Sequence, residues 1–95
     1  MTVRIHFGFW CGIAGRLGTA YLRKKFRDLP IPAVGSTIAV GDSGVEYAGI
    51  VESVVIDPET REASVFVKPD QFEGHEHEEY LNAIEFMMAR GWRND

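Results

Sequence analysis

With 95 residues the chain has room for one hydrophobic core and not for a second. An apolar fraction of 45% with eleven aromatic side chains excludes a disordered tail. The net charge of −4 hides an uneven distribution, since residues 1–35 carry six basic side chains against one acidic and residues 36–95 carry four basic against thirteen acidic. One end therefore attracts anions and the other repels them, although such asymmetry most often reflects plain solvated surface.

Val3, Ile5, Phe7 and Phe9 alternate with Thr2, Arg4, His6 and Gly8, which predicts a strand over 2–10 with one buried face. This alternation is unlike the apolar core of a signal peptide. No apolar run approaches the ~18–20 residues of a membrane helix, so no membrane association is expected. The lone Cys11 cannot form an internal disulfide and suits a reducing, cytoplasmic setting.

Glycines at 8, 12, 15 and 18 predict a curved loop over 11–18. Its Gly12-Ile13-Ala14-Gly15-Arg16 stretch is similar to the GxxG loop with which KH domains clamp a nucleic-acid backbone. A KH loop joins two helices, whereas a strand precedes this one. A structural loop is the first reading, and an anion cradle built from backbone N–H groups is the second.

Residues 19–29 admit two readings. A strand over 20–27 points Ala20, Leu22 and Phe26 one way and Tyr21, Arg23, Lys25 and Arg27 the other. A helix would spread the apolar residues over two faces and would be ended by Leu29-Pro30-Ile31-Pro32. The strand is carried forward.

The stretch from Val34 to Lys68 predicts a meander of strands over 36–68. Gly41-Asp42-Ser43-Gly44 has hairpin-turn chemistry. The same four letters surround the nucleophile of chymotrypsin-like proteases, but this chain is far too short for that two-barrel scaffold. Asp57-Pro58-Glu59-Thr60 predicts a type I turn. Between them, Val54, Val55 and Ile56 place apolar groups on both faces of the central strand, so Gly49 or Ser53 is expected to mark a bulge or bend.

The pattern from Val34 through Val40, with Gly44 and then Tyr47 to Asp57, resembles in outline the strands of SH3-like and Sm-like small barrels. After a connector, residues 76–90 predict a helix whose apolar stripe holds Tyr80, Leu81, Ile84, Met87 and Met88. Its acidic start, Arg90 and a C′ glycine at Gly91 complete it, with Trp92 folding back onto the last turn. The expected fold class is α+β: a strongly bent antiparallel sheet of four or five strands, curled like a small barrel, with one C-terminal helix packed on it.

Binding chemistry concentrates in the basic row. Arg23, Lys25 and Arg27 project together beside Tyr21, with Arg16 nearby and Trp10 on the polar face of the first strand. Such a row can dock an acidic protein surface, follow a phosphate backbone while stacking a base, or protect an exposed sheet edge. His75-Glu76-His77-Glu78-Glu79 is a weak metal candidate, because residues i and i+2 diverge by about 200° once the helix begins. No catalytic residues and no cofactor are assigned, since no nucleophile–base pair or paired-carboxylate site is legible. The expected function is a small non-catalytic adaptor or regulator that binds a protein, of the kind that phages and mobile elements carry as inhibitors. A nucleic-acid-binding barrel is the alternative, and a metal protein built on His75 and His77 a second one.

Overall fold

The computed structural model of the chain describes residues 1–40, 47–72 and 77–94. Its strands are β1 (Thr2–Cys11), β2 (Gly18–Arg27), β3 (Thr37–Val40), β4 (Tyr47–Asp57), β5 (Glu62–Val67) and β6 (Asp70–Phe72), followed by one helix, α1 (His77–Ala89). The sheet runs β2-β1-β5-β4-β3, with β6 continuing along β1. β1 is its spine. One side of β1 pairs antiparallel with all of β2, from Thr2 opposite Arg27 to Cys11 opposite Gly18. The other side pairs in parallel, first with β5 and then with β6.

The α+β class, the strong curl and the single C-terminal helix are as expected, but the sheet is mixed rather than antiparallel throughout. A strand's own residues report which of its faces is buried and not which strands lie beside it. Here β1 sits between β2 and the last strand of the meander, which brings β5 alongside it in the same direction.

Residues 18–27 are a strand, with side chains alternating between a covered and an exposed face. The central β4 carries the anticipated irregularity. Its pairing with β5 shifts between Val51 and Ser53, so Glu52 is an extra residue. That bulge puts both Val51 and Val54 on the inner face, opposite Val67 and Val65, and turns Val55 outward, where it is 57% exposed. Gly49 serves a different purpose: a Cβ there would fall onto Cγ1 of Val67, so glycine lets the two strands close. The 57–60 turn is held by the Asp57 carboxylate, which accepts the N–H groups of Glu59 at 3.0 Å and Thr60 at 3.4 Å. The predicted turn at Gly41–Gly44 lies outside the described residues.

Val3, Ile5, Phe7, Phe9 and Cys11 of β1 form the centre of one buried cluster with Leu22, Val51, Ala63, Val65, Val67 and the helix. Ile38 and Val40 reach the same cluster from the far end of the sheet, which the curl makes possible. α1 lies against β1, β2 and β6 and buries Tyr80, Ala83 and Met87. The predicted stripe needs one correction, because Leu81 is 47% exposed and Ala83 takes its place. A small residue lets the helix axis approach the sheet, with Ile84, Phe86 and Met88 packed partly buried against the core. Gly91, at φ 92°, ends the helix: Trp92 N–H reaches Met87 O at 3.2 Å and Gly91 N–H reaches Met88 O at 3.1 Å. Trp92 is thereby folded under the sheet edge, 2% exposed, edge-on to Phe7 and Phe26.

Candidate functional site

On the face of β1 and β2 opposite the helix the outward side chains of β2 are exposed, while those of β1 are partly covered and Gly8 is buried. The antiparallel register sets Arg4 directly opposite Lys25, His6 opposite Arg23, and Gly8 opposite Tyr21. Side chains two residues apart on one strand stand about 7 Å apart on that face. A further cation arrives from the C-terminal segment. Arg93 N–H donates to Arg23 O at 2.9 Å and Arg23 N–H donates to Arg93 O at 2.7 Å, which fixes Arg93 cross-strand from Arg23.

Like charges therefore face each other in two adjacent cross-strand pairs, Arg4/Lys25 and Arg23/Arg93. Such placement costs stability. The nearby carboxylate is Glu62, 3.9 Å from Arg4 and 3.7 Å from Lys25, both half-exposed contacts of little worth. Arg4, Arg23, Lys24, Lys25, Gly91 and Arg93 line a recess of about 270 Å³ between these side chains. Lys24, whose side chain turns to the helix side, donates to Arg90 O at 2.6 Å.

Next to the cations stands an aromatic strip. Gly8 leaves room for its neighbours: a Cβ there would stand 3.4 Å from Cδ1 of Tyr21 and 3.3 Å from Pro69. The Tyr21 ring thus packs beside Gly8, which is buried between it and Pro69, and is 58% exposed. Trp10 Nε1–H donates to Tyr21 Oη at 3.2 Å and steadies it. His6 and Phe66 stack face to face, 4.6 Å apart and 15° from parallel. Burial, followed by the Arg4 and Arg23 charges, holds the His6 imidazole below its usual pKa, and its buried Nε2 has no hydrogen-bond partner.

The structure places Trp10, Tyr21, Arg23, Lys25 and Arg27 on one face, with Arg27 at its far end opposite Thr2. Arg16 stands apart, at the other end of the hairpin, just after the 3-10 turn at Ile13–Gly15. The backbone of that loop is already engaged. N–H groups of Gly12, Gly15, Arg16 and Leu17 donate to Phe72, Gly12, Ile13 and Cys11, and Gly12 O accepts from Gln71 Nε2. The bonds of Gly12 to Phe72 and Gln71 fasten the loop to β6, and the others engage three more of the backbone donors that an anion cradle would draw on.

Sequence reasoning missed Arg4 and Arg93 as members of the basic surface. The alternation of β1 already put Arg4 on the polar side, so that signal was present. Arg93 carried none, because only the fold of the C-terminal segment brings it to β2. Of the histidine pair, His77 lies in the first turn of α1 with its ring 5.8 Å from that of Tyr80, while His75 lies outside the described residues. Among the described residues no three His, Cys, Asp or Glu side chains gather as metal ligands would, and no helix is long and apolar enough to cross a membrane. Comparison of the chain with protein-family models, with curated proteins and with solved structures gave no match.

Proposed function

We propose that the protein is non-catalytic and acts by binding another protein, with the face of β1 and β2 opposite the helix as its docking surface and an acidic patch as the feature it meets. The observation that carries this reading is the join of two kinds of surface on one face: five cations (Arg4, Arg23, Lys25, Arg27 and Arg93) beside the exposed Tyr21 ring. Charge steers and orients a partner, while the aromatic supplies the apolar contact on which affinity depends.

Two features favour a protein over a nucleic acid. The cations cluster at one end of the face rather than following a line past the aromatics. His6 and Phe66 direct one ring face each at the other, which leaves Tyr21 as the ring most open to a base, whereas single-strand binders stack several bases in succession. The test is affinity capture from the native host, with and without nuclease, using wild-type protein and the Arg23→Glu/Lys25→Glu/Arg27→Glu variant. A partner protein that survives nuclease and is lost with the variant is expected. Oligonucleotide binding at about 1 μM or tighter in 150 mM salt, with a salt slope near −3.5 to −4.5, would instead assign the face to nucleic acid.

A further inference from the structure

We infer that the recess between Arg4, Arg23, Lys25 and Arg93 is a binding site for a dianionic phosphomonoester, carried as a phosphorylated side chain by the protein partner. This deepens the docking reading above and rests on it for the source of the phosphate.

The inference starts from opposed charges that the core packing does not need. Two adjacent cross-strand pairs, Arg4/Lys25 and Arg23/Arg93, each place like charges directly opposite one another. Sheets ordinarily avoid this arrangement, which destabilises them. Nothing in the packing requires it, since these four side chains lie on the face away from the hydrophobic cluster. Glu62 offsets it only in part, from 3.7 and 3.9 Å and at one side of the recess. Proteins break such local rules at functional or strained sites, and an anion between the opposed charges would relieve this one.

The shape selects the kind of anion. Five cations from three backbone segments line one recess of about 270 Å³, with Lys24 turned toward Arg90 O and Arg4, Arg23, Lys25 and Arg93 on the outer face. A phosphodiester backbone carries one charge per phosphate and is matched by cations spaced along it. A phosphorylated side chain concentrates about −1.5 to −2 charges and three acceptor oxygens at one point. Arginine suits that target, because its planar fork donates two parallel hydrogen bonds to a phosphate. Arg23 and Arg93 are tied to each other through two backbone hydrogen bonds, of 2.7 and 2.9 Å, so both side chains start from fixed, neighbouring positions at the recess. Arginine clusters are the recurrent device for reading phosphorylated peptides. The Tyr21 ring stands on the same face, one same-strand step from Arg23, where residues flanking the phosphate would pack.

The test is a titration of isotope-labelled protein followed by nuclear magnetic resonance, at pH 7.5 and constant ionic strength balanced with chloride. Three probes are used: inorganic phosphate, a phosphoserine hexapeptide with glycine and alanine flanks, and its unphosphorylated twin. Inorganic phosphate should give saturable shifts centred on Arg4, Arg23, Lys25 and Arg93. The phosphopeptide should bind at least tenfold tighter than its twin. Arg23→Gln/Arg93→Gln should lose at least tenfold in affinity for both phosphate probes, and Lys25→Gln gives an independent second variant should the first fail to fold. Equal binding of the two peptides, or shifts unchanged in both variants, would overturn the site. A single-stranded oligonucleotide that outcompetes the phosphopeptide at the same residues would overturn it as well. Failure here with nuclease-resistant capture intact removes the phosphate site alone; phosphopeptide binding without any captured partner removes the docking reading alone.

Discussion

The two faces of β1 share one backbone and differ in almost everything else. Val3, Ile5, Phe7, Phe9 and Cys11 point inward and are almost wholly buried, each in contact with side chains from several other elements. Thr2, Arg4, His6, Gly8 and Trp10 point outward into a surface where cations oppose cations and a histidine nitrogen goes without a partner. The inner face is what stability requires: apolar area removed from water at roughly 25 cal/mol per Å². The outer face gives up stability at several points.

The largest break in this comparison is expected at the inner face. Phe9→Ala removes a fully buried ring that meets Tyr47 edge-on and packs against Phe7 and Phe72, and should cost about 3–5 kcal/mol in urea unfolding. A loss under about 1 kcal/mol would mean that this face is not the core. A sharper contrast comes from two valines of β4 on either side of the bulge. Val51→Ala, inward, should lose about 2 kcal/mol, whereas Val55→Ala, outward, should stay within about 0.5 kcal/mol. Equal losses would show that the bulge does not divide the strand as described.

On the outer face the sign reverses. Arg93→Gln keeps the backbone bonds to Arg23 but removes one of two opposed charges, so stability should rise by about 0.2–1 kcal/mol at low ionic strength. The gain should vanish in 1 M salt, where the Debye length is about 3 Å. A loss at low salt would mean that Arg93 is paired favourably within the fold.

The smallest effect concerns His6. Burial, then Arg4, then Arg23, depress its pKa from 6.5 in the folded chain, so the unfolded chain binds the proton more readily. Stability contributed by the neutral imidazole is present above pH 6.5 and is lost as the pH falls toward and below the depressed folded value. Wild-type protein should therefore lose stability more steeply than His6→Gln as the pH falls below 6.5. Identical pH profiles would place His6 in an environment no different from water.

Much of this molecule is legible in its sequence because the relevant signals are local. Alternation along β1 and β2 assigns each side chain to a face, since that follows from the two-residue period of an extended chain alone. The helix end at Gly91 and the turn at Asp57 are set by conformations that particular residues favour, and both were readable. The β4 bulge was half legible: Gly49 or Ser53 flagged an irregularity, but which residue was extra depended on the register against β5. Three matters were left entirely to the tertiary structure. The parallel pairing of β1 with β5, the exchange of Leu81 for Ala83 on the buried side of α1, and the arrival of Arg93 beside Arg23 all join segments distant in the chain. Their common reason is that pairing and close approach are decided by which surfaces fit once the core has formed, and no single stretch of residues carries that information. The basic row was therefore visible beforehand as a line of three charges, while the recess exists only because the fold sets Arg4, Lys24 and Arg93 beside Arg23 and Lys25.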